Sequence, residues 1–544
     1  MLKGMVRGAL AALLVTAAPA LAQVELRRQG QAHQLVVKGR PFLMLGGELA
    51  NSSASSLDYL RPHWADFKAA HMNTVVAPVS WELIEPAEGR FDFASVDGLI
   101  RDARAHDMKL VILWFGSFKN SMSSYAPAWV KRDPARFPRV QIANGEGQEI
   151  LSAFHPANID ADARAFAALM RHIKAVDGAQ NTVVLVQVEN EIGMLPTARE
   201  YGAEADRAFA APVPPELMTY LQSRRATLVP QLRTLWEEHG ARTGGDWASV
   251  FGRGPAAEEV FTAWHYARYA EAVTVAGKAA YALPMYANVA LNRPGRLPGE
   301  YPSGGPLPHL IDVWKAGAPS LDMLSPDIYF PNFGQIIAHY DRPDNALFIP
   351  EANNAGRDEG AAEAFLAFGK HRAIGYSPFA IDDPEKLPES RLAQGFDVLA
   401  QLTPALLTAQ QQGRAAGVKA PVMYDGTILA DPQVVELGGY RFSVSFTDPW
   451  TPLAEQKLAT HGGLILHVGE DEFLIAGSGL WITPAPIGPG PHIAGIESAW
   501  EGRLEAGQWR RGRLLNGDQT HQGRRVQFPR DRFTIQRVRL YRYD

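Results

Sequence analysis

Eight short apolar segments, each followed by a stretch with helical periodicity, set the fold of most of this chain. They cover residues 42–49, 74–81, 109–116, 183–191, 283–291, 322–330, 346–353 and 374–382. Several are continuous runs rich in β-branched residues, as in KLVILWFG and VVLVQVENE, the pattern of parallel strands covered on both faces. Between strands the period changes. Phe166, Leu169, Met170 and Ile173 fall at i, i+3, i+4 and i+7, and Val96, Leu99, Ile100 and Ala103 repeat that spacing, which places each set on one helix face. Strand then helix, eight times over, predicts an α/β fold of the (β/α)8 TIM-barrel type. Two stretches exceed the usual connections: 195–256, with Pro212, Pro214 and Pro215, and the Pro/Gly-rich 292–308. Both follow strands, so both are expected to wall a pocket on the face where barrel strands end.

From about residue 415 the texture changes. YRFSVSF, GGLILHV, DEFLIAGSGLWI and RFTIQRVRLYRY alternate with a period of two and are separated by Gly, Pro and Asp, which predicts a β-sandwich. At the other end, MLKGMVRGALAALLVTAAPALA places Lys3 and Arg7 before an apolar run and closes on Ala20-Leu21-Ala22. That is the pattern of a cleaved export signal, and the run is too short to cross roughly 30 Å of hydrocarbon. The expected organisation is a signal peptide over 1–22, a catalytic barrel over 23–404 and a C-terminal β-sandwich over 415–544. An exported, periplasmic protein with no membrane span is expected.

Composition removes several function classes. Lys plus Arg number 53 against 58 Asp plus Glu, a net charge of -5, so no basic surplus exists to neutralise nucleic-acid phosphates. The Cys count is 0, which excludes disulfides, thiolate metal sites and a cysteine nucleophile. None of the 15 His forms a paired ligand spacing, so no metal site is expected. With no Gly-rich phosphate loop and no serine elbow, no cofactor is expected either. For an exported enzyme with no cofactor signature, hydrolysis of an external polymer is the leading class.

Two glutamates stand where such chemistry would need them. The fourth strand ends Gln187-Val188-Glu189-Asn190-Glu191-Ile192-Gly193 and the seventh ends Ile349-Pro350-Glu351-Ala352-Asn353. Strands four and seven lie on opposite sides of a barrel axis, so Glu191 and Glu351 would face each other across it. Cleaving a glycoside needs one carboxylic acid to protonate the leaving oxygen, and a second carboxylate on the other face of the sugar. Trp81 and Glu82, ending the second strand, are read as pocket residues, and Trp114 in the third as a platform for a sugar ring.

Trp81-Glu82-Leu83-Ile84-Glu85-Pro86 followed by Gly89, Phe91 and Phe93 resembles the W-N-L-H-E-P…G-x-F-x-F segment of glycoside hydrolase family 35, the β-galactosidases. Gln187 to Gly193 is similar to that family's Q-x-E-N-E-Y-G, and the pairing of Asn190-Glu191 with Glu351 resembles the wider clan of retaining glycosidases with catalytic residues on strands four and seven. The resemblance implies Glu191 as general acid/base and Glu351 as nucleophile. Asn190 would bind the sugar 2-hydroxyl, Asn120 would contact the sugar, and Tyr329 would orient the nucleophile. Pro78, Ile84 and Met122 replace residues that many members of the family carry as Tyr, His and Glu, and these departures bear on which sugar is accepted. The implied activity is a retaining exo-β-galactosidase acting on β-galactoside oligosaccharides, such as the xyloglucan side chains of plant cell walls. Two alternatives stay open: the same mechanism on another sugar (β-glucosidase or β-glucosaminidase), and a glycan-binding barrel without catalysis.

Overall fold

The computed structural model describes residues 24–544; the leader expected over 1–22 lies outside the described residues. Eight parallel strands close into a barrel: Met44–Glu48, Thr74–Ser80, Lys109–Lys119, Val183–Asn190, Met285–Ala290, Met323–Ile328, Phe348–Ala352 and Gly375–Pro378, here barrel strands one to eight. Closure is made where Gly375 and Tyr376 of strand eight pair with Met44 and Leu45 of strand one. Every residue of strand four is buried, because one face fills the axis and the other lies under helices, which is why its sequence does not alternate. The helix Pro156–Asp177 buries Phe166, Leu169, Met170 and Ile173, and Ala94–Ala105 buries Val96, Leu99, Ile100 and Ala103, as their spacing requires. Among the described residues no helix is long and apolar enough to cross a membrane.

Two parts of this region were not written in the strand and helix periods. Val24–Gln29, Ala32–Val37 and Arg40–Phe42 form a small antiparallel sheet before barrel strand one. It is tied to the end of the helix Arg391–Gln412: Gln34 Nε2 donates to Leu407 O at 2.9 Å, and Gln411 Nε2 donates to Gln34 Oε1 at 2.7 Å. The long connection after strand four folds into four helices, Ala203–Ala210, Pro215–Arg224, Pro230–Glu238 and Trp247–Phe251. The connection after strand five meets it where Met194 and Ser303 exchange backbone hydrogen bonds of 2.8 and 3.0 Å.

Beyond the helix Arg391–Gln412 two antiparallel sheets face each other. One has six strands in the order Ala415–Lys419, Gly462–Gly469, Glu472–Ser478, Thr534–Tyr543, Ile493–Glu505, Gln508–Leu515. The other has four: Gln433–Leu437, Tyr440–Ser445, Trp481–Pro486, Val526–Gln527. The run DEFLIAGSGLWI is two strands in different sheets. Gly479 breaks it with φ +66°, where a Cβ would strike the His461 ring.

The six-stranded sheet is apolar on both faces, and its period of two divides the two jobs. Ile465, Phe473, Ile475, Val538 and Leu540 enter the sandwich core with Phe442, Val444 and Ile482. Leu464, Leu466, Leu474, Ala476 and Ile535 point the other way and join the apolar cluster of the barrel. The approach there is close. A Cβ on Gly369, at the end of the helix Gly360–Gly369, would lie 2.6 Å from Gly417 Cα, and one on Gly417 would lie 2.5 Å from Phe365 O. Gly417→Ala should therefore push strand Ala415–Lys419 off the helix and cost about 1–3 kcal/mol. Urea unfolding checks this, and an unchanged midpoint would mean the seam has room to spare.

Candidate active site

The C-terminal ends of the barrel strands bring four carboxyl groups into one buried region: Glu48 from strand one, Glu191 just past strand four, Asp327 from strand six and Glu351 from strand seven. One lysine, Lys119 at the end of strand three, is buried among them. The backbone at strand four is bent to make this possible. Glu189 and Glu191 both take left-handed φ, +61° and +48°, on either side of Asn190. For non-glycine residues that conformation is uncommon and collects at functional sites. The first bend turns Glu189 toward the helix layer, where its Oε2 accepts from Phe118 N at 2.7 Å. The second directs Glu191 to the axis, with its own N–H held by Asn288 Oδ1 at 2.9 Å.

Side-chain contacts then link the group. Asn120 Nδ2 donates to Glu191 Oε2, and Tyr329 OH donates to Glu351 Oε1. Asn288 Nδ2 donates to Asp327 Oδ2 at 2.6 Å. Glu191, Asp327 and Glu351 each present an oxygen, all within 4.8 Å of one another. Asp327 and Glu191 meet carboxyl to carboxyl, a contact that needs a proton on one of them. Burial, then the charges of Glu351 and Glu191, holds Asp327 well above the usual carboxylate range. Burial and the charge of Glu351 raise Glu48 in the same way. Glu191 is raised by burial, against the opposing pull of Lys119 and its two hydrogen bonds. Glu351 is pushed up to about 7 by burial and the charge of Glu191, while Lys119 and Tyr329 pull it down. The three clustered oxygens could also grip a hard cation; Lys119 already presents a positive charge to two of those carboxyls, Glu191 and Glu351.

Of the residues singled out in the sequence, Glu191, Glu351, Asn120 and Tyr329 are in mutual contact or face one another here. Asn190 is fully buried between the two bends, and neither its Oδ1 nor its Nδ2 has a partner. Trp81 and Trp114 stand elsewhere. Both are 0% exposed, with their N–H groups donated to Glu85 Oε2 at 2.9 Å and to Asp162 Oδ1 at 2.8 Å. Trp114 packs on Phe166, on the helix side of its strand, so its ring offers no face to a sugar. Glu82 lines a cleft of about 450 Å³ with Asn51, Pro78, Ser80 and Tyr125, and pairs with Lys131 at 3.6 Å. Glu48, Lys119, Asn288 and Asp327 went unmarked in the sequence. Their signal was present: each is a polar residue near the end of an apolar barrel strand.

A closed (β/α)8 barrel whose strand ends hold a coupled acidic pair has the groups that cleavage of a glycosidic bond requires. Residues 58–252 match the family model of glycoside hydrolase family 42, described as beta-galactosidase, and residues 392–527 match a domain of unknown function. The matching model is that of family 42, not the family 35 suggested by the motifs. Both motifs, Trp81 to Pro86 and Gln187 to Gly193, lie inside the matched segment. A beta-galactosidase from Xanthomonas manihotis is 28% identical over 183 residues, 32% of this chain and 28% of that protein, so the chain matches little more than a quarter of its length. Among solved structures, the β-galactosidase of the Antarctic haloarchaeon Halorubrum lacusprofundi is similar with a TM-score of 0.43 and 16% identity, over 66% of this chain and 58% of that one. The β-galactosidase of Marinomonas ef1 gives 0.45 and 13%, over 68% and 60%. The catalytic domain of a β-amylase from Paenibacillus polymyxa gives 0.44 and 11%, over 64% and 94%.

The protonated state of Asp327 is testable through stability. Its folded-state pKa lies above the ordinary value of about 3.9, so between the two the folded protein holds a proton that the unfolded chain has lost. Stability from this group therefore falls as pH rises. Asp327→Asn keeps an acceptor for Asn288 and removes that cost. Its melting temperature should exceed wild type by about 1–3 °C at pH 7.5 and match it near pH 4. A lower value at pH 7.5 would mean that Asp327 is ionised and paired.

Proposed function

We propose that this protein is an exported, retaining exo-β-galactosidase that removes terminal galactose from plant cell-wall oligosaccharides such as xyloglucan side chains. The observation that carries the reaction type is the meeting of Glu191 and Glu351 across the barrel axis, with an oxygen of each within 4.8 Å of the other. That spacing suits the double-displacement arrangement, in which the carboxyl groups stand about 5–5.5 Å apart, better than the wider arrangement that accommodates a water. The galactose preference draws on the β-galactosidase family match and the Xanthomonas relative. The polymer draws on the family 35 resemblance alone, and export on the pattern of residues 1–22.

In the first step Glu351 Oε2, which has no partner, attacks the anomeric carbon while Glu191 gives its proton to the leaving oxygen. Tyr329 holds the other oxygen of Glu351, fixing the direction of attack. Glu191, now ionised, takes a proton from water, whose oxygen displaces Glu351 and returns the sugar with its configuration retained. The unpartnered amide of Asn190 is available for a sugar hydroxyl. A second reading keeps these steps and changes the sugar. It is favoured by Pro78 and Met122, which stand where many family 35 members carry a Tyr and a Glu that contact the sugar.

Initial rates on nitrophenyl β-galactoside, β-glucoside and β-glucosaminide separate the readings, with galactoside turned over fastest. Glu351→Gln should lose about 10⁴-fold or more in kcat without unfolding. Proton NMR of the first product should show the β anomer; an α anomer would overturn double displacement. The pH profile of kcat/KM should be bell-shaped, rising as the Glu191–Glu351 pair loses its first proton and falling as it loses its second, with the falling limb near pH 7. Lys119 favours the ionised forms of both glutamates, so Lys119→Met should move that limb upward by roughly one pH unit. An unmoved limb would remove Lys119 from the electrostatics of the site.

A further inference from the structure

The C-terminal sandwich carries a cleft of its own, about 340 Å³, that the reaction above does not use. It opens at one end of the sandwich, between the two sheets. Trp481 begins a strand of the four-stranded sheet there, and Gln536 belongs to the six-stranded one. Its outer lip is Trp450, which is 80% exposed. An indole that far into water forfeits the burial that usually places tryptophan, and it does so on a loop that is thoroughly tied down. Asp448 accepts from Trp450 N at 2.9 Å and from Thr451 Oγ1 at 2.7 Å. Gln456 clamps the same turn, accepting from Asp448 N and donating to Asp448 O and Thr451 O at 2.8 to 2.9 Å. The loop presents Trp450 in a fixed position.

The inner wall is polar and incompletely satisfied. Gln536 is 1% exposed; its Nε2 donates to Gln527 O at 2.7 Å, and its Oε1 has no partner. The charged side chains around it are each paired, Glu501 with Arg513 at 3.0 Å, Asp448 with Arg530 at 3.5 Å and Arg532 with the neighbouring Asp531 at 3.8 Å. Arg525 lies over the Trp481 ring at 5.2 Å. A flat apolar face, an unanswered buried acceptor and locally balanced charge do not suit an anion or a cation. They suit a neutral ligand that has both a flat C–H face and hydroxyl groups, which is a pyranose in a sugar chain.

We propose that this cleft binds a neutral, β-linked polysaccharide, with a sugar ring stacked on Trp450 and a hydroxyl donated to Gln536 Oε1. The loop that carries Trp450 runs on to Lys457, whose Nζ donates to Asp358 at 3.0 Å. Asp358 lies in the connection that follows barrel strand seven, the strand that ends Glu351–Ala352. The loop is thus tied to a connection on the face where the barrel strands end.

Binding is separable from hydrolysis, so the test is run in the Glu351→Gln background, where polymer is not consumed. Native gel electrophoresis through xyloglucan or through β-1,4-galactan should retard the protein in at least one, and dextran should not. Trp450→Ala should weaken that retardation by at least tenfold in apparent Kd, while Trp450→Phe keeps most of it. On nitrophenyl β-galactoside, Trp450→Ala in the otherwise wild-type chain should keep its full rate, because a single sugar does not reach the cleft. Trp450 is at the surface, so an unchanged melting temperature is expected and distinguishes lost binding from lost folding. No retardation by either polymer, or equal retardation of the parent and Trp450→Ala, would overturn the proposal. Retarded protein that turns over no glycoside would leave the cleft standing and remove the hydrolase reading instead.

Discussion

Like charges crowded into one dry pocket repel, and the barrel of this protein forces that crowding. Strands one, four, six and seven each deliver a carboxyl group to the same end of the axis, and one lysine, Lys119, stands among them. Four carboxylates could not all ionise there, because burial and mutual repulsion both favour the neutral form. Asp327 and Glu48 are the two members held well above the usual range. Glu191 and Glu351 receive the stabilising contacts that remain, from Asn120, Tyr329 and Lys119. In that setting Glu191 and Glu351 behave as a pair whose protons leave in coupled steps.

A fifth acid would break the arrangement, and the bend at Glu189 removes it. Turned outward, Glu189 meets Asp162 of the helix Pro156–Asp177 in a second buried acidic cluster. Donors surround that cluster. Asp162 accepts from Trp114 Nε1, from Ser117 N at 2.9 Å and from Tyr269 OH at 3.0 Å, and Glu189 accepts from Phe118 N. Ser117 and Phe118 immediately precede Lys119 and Asn120. The hydrogen bonds that satisfy the outer acids therefore fix the end of strand three, and with it the lysine and the amide that face the inner acids. Trp114 belongs to this support, which accounts for its burial better than a sugar platform would.

The barrel was legible in the sequence because each of its strands is covered on both faces, and a run such as KLVILWFG admits few other readings. Glu191 and Glu351 were legible because strand number alone places them opposite one another. Less visible were residues whose role depends on a neighbour several strands away. Asp327 and Glu48 look like ordinary strand-end acids until Glu191 and Glu351 are set beside them. Lys119 in GSFKN reads as a solvated turn residue, yet the bends at Asn120 and Ser121, φ +50° and +62°, fold the loop back over it. Trp81 misled for the converse reason: the motif around it is distinctive, but its ring serves Glu85 and packs edge-on against Trp129.

The sandwich is bound to the barrel more tightly than a tethered module would be. One apolar cluster runs from the barrel helices through Leu464, Leu466 and Leu474, and Arg391 crosses the seam to donate to Ser478 Oγ at 2.7 Å. A second bridge lies on the side where the strands end. The turn after Val422 places Tyr424 edge-on against Phe330, with ring centroids 5.3 Å apart, and Phe330 directly follows Tyr329, whose hydroxyl holds Glu351. Displacing the sandwich would therefore disturb the support of Tyr329, so the two parts must move as one for Glu351 to keep its orientation. The close glycine contact at Gly369 and Gly417 serves the same end. There the strand Ala415–Lys419 lies backbone to backbone on the helix Gly360–Gly369, with no side chain between them.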